Sequence, residues 1–512
     1  MLTAIAEGAA LILNVSAIFW IMFGVTLGIL LGAIPGLTAT MGIALMLPLA
    51  IQLETATGMG LLLGVYSGAI IGASIPAILL GIPGNPNAIA TVYDGYAMTQ
   101  QGRAAEALGG AVVASFLGGI GSLVLLMLFA PAIARFTLMF GPPERAALAL
   151  VGIAIIASVS SRRLAKGVLM GAFGLALALI GPDPITQVLR MPFASYTART
   201  PLASGIKLIP ALIGLFGISQ ALFDLERIDR GRLAPPQIEL KRLLPRPAVF
   251  LRMWRLIIES TGIGTLIGAI PGTGASIAVF LSYQRAQRVS ASSKNNMKPI
   301  GSGVLEGVVA PEVANNACKG GALIPALSLG IPGDAATAVL LGALLIKGVT
   351  PGHQLFGENI SLVYAIFLAM LLANIFMVII QLAGIRVFPK VLSIPSAFLL
   401  PLIIVFSLIG SYAIEGRAII AASFNMAIAL LLGILGYFLK KNDYPIAPIV
   451  LGLILGDMFE QNFRRAVRLA RGDYTVFFQR PIAAILILFA VLSVAISLWS
   501  NRRSRGTQTE EL

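Results

Sequence analysis

The chain has 512 residues, 57% of them hydrophobic and only 11% charged, with a mean hydropathy of +0.92 and a formal net charge of +14. So apolar a composition excludes an ordinary soluble protein and predicts an integral membrane protein embedded in a lipid bilayer. With one cysteine, Cys318, and one histidine, His353, it also excludes an intrachain disulfide, a multi-cysteine metal or cluster site and a histidine-based metal centre.

From the N-terminus, Met1 to Gly8 lacks a basic leader and carries Glu7, so no cleaved signal peptide is expected. Residues 11–35 form an apolar run ending in Pro35-Gly36, and residues 37–51 form a shorter run leaving it, which together read as a helical hairpin. Proline removes a backbone donor and clashes with the preceding turn, while glycine tolerates the resulting bend, so the helix should break there. A second Pro-Gly, Pro83-Gly84, sits in IPAILLGIPGNPNA at 75–88. It is followed by the polar stretch TVYDGYAMTQQGRAAEALG at 91–109 and an apolar run to Ala130. Further helices are expected at 144–160, 164–181 and 205–222. Long apolar runs such as Gly109 to Ala130, Ala146 to Ser161, Leu362 to Gly384, Ala418 to Phe438 and Pro481 to Trp499 favour spanning helices over barrel strands, which would alternate. Residues 223–252 are basic and hold Pro235, Pro236, Pro245 and Pro247, so they read as a cytoplasmic linker rather than a helix.

The second half repeats the first. GILLGAIPGLTAT at 28–40 matches GTLIGAIPGTGAS at 264–276 in eight of thirteen positions, an offset of 236. IPAILLGIPGNPNA matches IPALSLGIPGDAAT at 324–337, again with eight identities, at an offset of 249. Two motifs recurring in the same order predict a duplicated unit. The flanks of the first motif hold Glu7 and Glu54 without Lys or Arg, whereas the second copy follows Arg227, Arg230, Arg232, Lys241, Arg242, Arg246, Arg252 and Arg255 and precedes Arg285, Arg288, Lys294 and Lys298. Because Lys and Arg gather in cytoplasmic loops, the first hairpin should enter from outside and the second from the cytoplasm, giving inverted repeats. The same rule assigns the net positive charge to topology rather than to nucleic acid. Leu256 to Ile270 extends about 22 Å as a helix, short of a core of about 30 Å, which fits a half-span.

Between the two motifs of the second half, VAPEVANNACKGGALIP at 309–325 is the densest polar cluster. Glu312, Asn315, Asn316 and Lys319 stand at i, i+3, i+4 and i+7, on one helical face. Spans near 360–384, 394–412, 416–438, 446–459 and 481–499 complete the chain, and a tail with Arg502, Arg503 and Arg505 should be cytoplasmic. The expected fold is an all-α polytopic membrane protein with two inverted-topology repeats, Pro-Gly-broken hairpins and about 10–12 membrane segments. Its expected organisation is an N-terminal membrane repeat (1–222), a basic cytoplasmic linker (223–252), a C-terminal membrane repeat (253–480) and a final transmembrane helix with its tail (481–512).

Four helix breaks at corresponding positions point to a transporter's binding site, since broken backbone in hydrocarbon is tolerated only where protein or a watery cavity receives it. The paired GAIPG motifs, EVANNA at 312–317 and the two LGIPG breaks resemble the large permease subunit, TctA, of the tripartite tricarboxylate transporters. The resemblance covers nearly the whole chain and is clearest at 28–103 and 262–352. It implies a multi-pass permease of the bacterial inner membrane. It further implies a small membrane subunit, a periplasmic binding protein that delivers organic carboxylates, and uptake driven by an ion gradient.

Helix N-termini offer unpaired amides and a positive dipole end to a carboxylate. On that ground Pro35, Gly36, Thr38 and Thr40 in one copy, and Pro271, Gly272, Thr273, Gly274 and Ser276 in the other, are candidate substrate contacts. Asn315, Asn316 and Lys319 join them, because a cation at membrane depth is costly and usually functional. Lys319 can alternatively pair with Glu312. The second breaks, Pro83-Gly84-Asn85 and Pro332-Gly333-Asp334, can bind a coupling cation or simply cap the next helix. With an inside-negative potential, importing a trivalent anion costs roughly 7 kcal/mol per 100 mV, so accumulation requires cation symport. Sodium and proton both remain open, and beyond sodium no metal or cofactor is expected. No P-loop is present, and the chain lacks material for an enzyme's catalytic constellation. A channel or a structural membrane subunit stays as the alternative to a carrier.

Overall fold

The computed structural model of the chain describes residues 2–159, 164–183, 186, 188–190, 201–226, 244–292, 299–387, 396–414 and 418–506. Among these residues there are helices and no strand. The first half contains α1 (Leu2–Ile12), α2 (Val15–Ala33), α3 (Ala39–Ala50), α4 (Thr55–Gly72), α5 (Ser74–Leu80), α6 (Ile89–Gln100) and α7 (Ala104–Phe136). There follow α8 (Pro142–Val159), α9 (Leu164–Ala178) and α10 (Leu208–Glu226), the last with a π-helical stretch at Ile213–Ile218. The second half contains α11 (Pro247–Arg252), α12 (Trp254–Ala269), α13 (Gly274–Ser292), α14 (Glu306–Leu329), α15 (Ala335–Ile346), α16 (His353–Gly357) and α17 (Ile360–Ala383). It ends with α18 (Ser396–Ala413), α19 (Ile419–Lys441), α20 (Ala447–Leu469), α21 (Val476–Gln479) and α22 (Pro481–Gly506).

Six helical stretches among the described residues are long and apolar enough to cross a membrane: α2, Thr55–Leu80, α7, α10, α17 and α19. With this composition the chain is a multi-pass membrane protein. The polar stretch at 91–109 is itself helical, forming α6 and the start of α7, and α20 continues ten residues past the expected end at 459 to Leu469. Most of the expected linker, residues 227–243 with Pro235 and Pro236, lies outside the described residues.

Two compact units divide the chain, and each takes segments from both sequence halves. The first comprises Met1–Ile133 and Asp224–Ile403; the second comprises Ala134–Phe223 and Ile404–Leu512. In the first unit α2 packs along α4, and α12 packs along α14. Both pairs approach so closely that a Cβ at Gly28 would stand 2.4 Å from Val65 O, at Gly32 2.3 Å from Ala69 O and at Gly72 2.5 Å from Ile29 O. The equivalent positions repeat the arrangement: Gly264 against Ala314 O at 2.3 Å, Gly268 against Cys318 O at 2.4 Å and Gly321 against Thr265 O at 2.3 Å. Each pair matches its counterpart at offsets of 236 and 249. The sequence repeat is therefore a repeat of packing, in which small residues let backbones touch where no hydrophobic drive separates helix from lipid.

The second unit is built by α8, α9, α20 and α22, with α19 on the π stretch of α10. Gly174 faces Ile449 O at 2.1 Å by the same measure. The polar end of α20 is neutralised locally: Arg190 pairs with Glu460 at 2.8 Å and with Asp183 at 3.6 Å, and Arg464 pairs with both acids. That pairing, with the stacked Phe459, Phe463 and Phe477, accounts for the continuation of α20 beyond its apolar part.

Candidate functional site in the first compact unit

Every Pro-Gly motif interrupts its helix. α2 ends at Ala33 and α3 begins at Ala39; α12 ends at Ala269 and α13 begins at Gly274. Between them Gly36 takes φ +93° and Gly272 φ +79°, conformations that the residue after each proline reaches only without a side chain. The second motifs end α5 and α14 in left-handed caps at Gly81 and Gly330. Within each copy the two breaks are joined by one bond: Gly36 N donates to Gly84 O at 3.0 Å, and Gly272 N donates to Gly333 O at 2.9 Å. The orphan groups that a broken helix exposes thus partly satisfy each other.

The copies also touch each other at their breaks. Ser276 Oγ, in the first turn of α13, donates to Asn87 Oδ1 of the first copy at 2.8 Å. The Tyr66 hydroxyl of α4 donates to Asp334 Oδ2 at the second copy's break. All four breaks therefore belong to one connected region of the first unit. Tyr66 and Ser67 stand where the repeat offset of 249 places Asn315 and Asn316, so the same two positions of both copies serve this region.

The polar face of α14 runs along it. Glu312, Asn315, Asn316 and Lys319 are all fully buried. Glu312 accepts from Thr91 Oγ1 at 2.6 Å and from Ser115 Oγ at 3.0 Å, so it draws on α6 and α7. Lys319 Nζ donates to Ser67 Oγ at 2.7 Å and to Asn374 Oδ1 at 3.0 Å, on α4 and α17. The ammonium has three N–H donors, and two are accounted for. Glu312 and Lys319 do not pair among the described residues. Seven residues of helix separate them by about 10 Å along the axis. Between them, none of the amide atoms of Asn315 and Asn316 has a hydrogen-bond partner among the described residues, and Asn374 Nδ2 is equally unpartnered. Burying unpaired amides costs about 1–3 kcal/mol each, so a cluster of them is where a ligand or ordered water is to be sought.

The remaining sequence candidates divide by what their side chains do. Asp334 caps α15 in a capping box with Thr337, and Asn85 Oδ1 accepts from Asn87 N at 3.0 Å, so both equivalent residues act as caps. Thr38 caps α3, accepting from Met41 N at 3.3 Å. Thr273 turns its hydroxyl back to Ile267 O and Ile270 O, closing the end of α12. Pro35, Gly36, Thr40, Pro83, Pro271, Gly272 and Gly274 are half-buried at the breaks, whereas Gly84, Pro332 and Gly333 are buried.

Sequence reasoning missed Ser67, Tyr66, Thr91, Ser115 and Asn374. Asn374 carried a readable signal, being a strongly polar side chain in the middle of a largely apolar 24-residue helix. Asp94 was missed as well. It is fully buried, and its carboxylate accepts from Tyr283 OH and from the backbone N–H groups of Gly301, Gly303 and Val304, all at 2.9–3.0 Å. It fastens α6 to the loop preceding α14.

Comparison with known proteins settles the family. The profile of the tripartite tricarboxylate transporter TctA family matches residues 18–451. The chain belongs to this family. It is 34% identical over 492 residues to an uncharacterized 52.8 kDa protein in the TAR-I ttuC' 3' region of Agrobacterium vitis, covering 95% of this chain and 94% of that one. A second Agrobacterium vitis protein, uncharacterized and in the TAR-II ttuC' 3' region, is 37% identical over 245 residues, covering 48% of this chain and 98% of its own length. No solved structure matches. As a TctA family member the chain is a membrane permease-type protein of a transporter family, and both motif regions fall inside the matched range.

Proposed function

We propose that the chain is the large transmembrane permease subunit of a binding-protein-dependent secondary transporter, importing tricarboxylates or related organic acids by cation symport and alternating access. In this reading it works in the bacterial inner membrane with a small membrane subunit and a periplasmic binding protein. The observation that carries the reading is the polar face of α14: a fully buried lysine beside fully buried amides, the lysine without a carboxylate partner and the amides unpartnered among the described residues, in the region where four helix breaks meet.

A carboxylate fits this chemistry. Lys319 supplies the positive charge, while the amides of Asn315, Asn316 and Asn374 supply donors. The oppositely charged flanks of the two GAIPG motifs support inverted hairpins, which give such a site equivalent routes from either side. Direct binding tests the reading. Purified permease is titrated with citrate and a panel of di- and tricarboxylates while its thermal unfolding is followed. A ligand at a hundred times its Kd raises stability by about 2.7 kcal/mol, an easily resolved shift. Wild-type protein should respond to at least one acid, and Lys319→Met should fold but not respond, since it removes a buried charge that has no carboxylate partner among the described residues, at the cost of two hydrogen bonds. An equal response in Lys319→Met refutes the assignment of the site.

A further inference from the structure

Glu312 is the residue of the polar face that a carboxylate site leaves unexplained. It is fully buried, and among the described residues its two oxygens meet only the hydroxyls of Thr91 and Ser115. A carboxylate so placed needs a counter-charge, and among the described residues no cationic side chain pairs with it, while the nearest charged groups are held by other partners. On α6, Asp94 is bonded to Tyr283 and the loop backbone. Just before α7, Arg103 pairs with Glu106; from α12 and α13, Glu259 pairs with Arg285. Asp334 is held by Thr337 and Tyr66, and Lys319 by Ser67 and Asn374.

The atoms around Glu312 are hard oxygens. Hydroxyls rotate, so Thr91 and Ser115 can turn from donating to the carboxylate to presenting lone pairs. One helical turn further on, the same face carries Asn315 and Asn316, fully buried and with unpartnered amide oxygens. A single carboxylate with hydroxyl and amide oxygens suits a small hard cation of one positive charge, because a divalent ion would leave net charge in a buried place. A proton would neutralise Glu312 but leave the amide oxygens unpaired.

We propose that Glu312, Thr91 and Ser115, with the amide oxygens of Asn315 and Asn316, form a sodium site that couples transport to the sodium gradient. The proposal rests on the symport reading above. Each asparagine offers an oxygen to the cation and an N–H2 group to the substrate carboxylate beside Lys319, so one pair of side chains contacts both ligands. Each ligand then orders the groups the other needs, and the affinity gain is reciprocal.

The test is binding of radioactive sodium to the purified permease, with and without a carboxylate that shifts its unfolding midpoint, combined with uptake by proteoliposomes holding the full transporter. Wild-type protein should bind sodium, more tightly in the presence of the acid. Glu312→Gln, whose amide resembles the neutralised carboxylate, should lose sodium binding and gradient-driven accumulation while still exchanging labelled acid across the membrane. Ser115→Ala keeps the carboxylate and covers the case in which the glutamine variant does not fold; it should weaken sodium binding about tenfold, as loss of one bond to a charged group implies. Sodium binding unchanged in both variants overturns the site but not symport. Uptake driven by a pH gradient, with no sodium bound by the wild type, overturns the sodium assignment and leaves symport standing. Uptake indifferent to every cation gradient removes the symport reading and this proposal with it.

Discussion

Replacing Gly333 by alanine tests whether the Pro-Gly breaks are packed against each other as described. A Cβ there would stand 2.4 Å from Gly268 O, 2.5 Å from Ala322 Cα and 2.7 Å from Ala322 Cβ. Two of these are backbone atoms and the third is a methyl fixed to backbone, so no side chain can rotate away. Relief requires the break to move outward by about 1 Å, an overpacking cost of about 1–3 kcal/mol. That movement also stretches the bond from Gly272 N to Gly333 O, now 2.9 Å, at a further cost of about 1 kcal/mol. The sum is about 2–4 kcal/mol, or a fall in the unfolding midpoint of about 2–4 °C at roughly 1 °C per kcal/mol for a chain of this length. Gly84→Ala should behave alike, because its Cβ would stand 2.6 Å from Gly32 O and 2.6 Å from Ala73 Cα. Gly262→Ala is the control: it lies inside α12 with nothing within 4 Å of the added carbon, so it should stabilise by roughly 0.5–1 kcal/mol. The assay is thermal unfolding of the purified variants in detergent. Equal midpoints for all three refute the argument, as does a Gly262→Ala fall matching that of Gly333→Ala.

Asp94→Asn should destabilise by about 3 kcal/mol, because an amide turns donors toward backbone N–H groups that the carboxylate now accepts; limited proteolysis should then cut the 299–305 loop, and an uncut loop with an unchanged midpoint contradicts the clamp. The contact between Ser276 and Asn87 should give a coupling energy of about 1 kcal/mol in a double-mutant cycle with alanines, whereas additive effects would show that the two copies' breaks are energetically independent. Inverted topology predicts that, in a Cys318→Ser background, an impermeant maleimide labels Glu54→Cys in intact cells but reaches Gln287→Cys only after permeabilisation. Both positions are exposed. Labelling of both from one side rules out inversion.

The breaks were legible because proline and glycine act locally: a missing donor and a positive φ at Gly36 and Gly272 need no knowledge of the rest of the chain. The polar face of α14 was legible for a similar reason, since i, i+3, i+4 and i+7 define a face in any helix. What was hidden depends on tertiary approach. Ser67 and Asn374 come from α4 and α17, far from Lys319 in sequence, and only packing decides that they, rather than Glu312, receive its ammonium. Hydroxyls at helix starts were ambiguous because a threonine can cap or back-bond as readily as it contacts ligand, and Thr38 and Thr273 do the former. The division into two units, each drawing on both halves, follows no composition change along the chain.

The central claim is carboxylate import coupled to a cation through the face of α14. The most direct measurement is uptake by proteoliposomes holding this chain, its small partner and a loaded binding protein, with labelled citrate and related acids, under imposed sodium and pH gradients. The account predicts accumulation above equilibrium for at least one acid, only when a cation gradient points inward, and its loss in Asn316→Ala and Lys319→Met proteins that remain folded. Flux that merely equilibrates each acid, with or without a gradient, or accumulation that survives both substitutions, would contradict it.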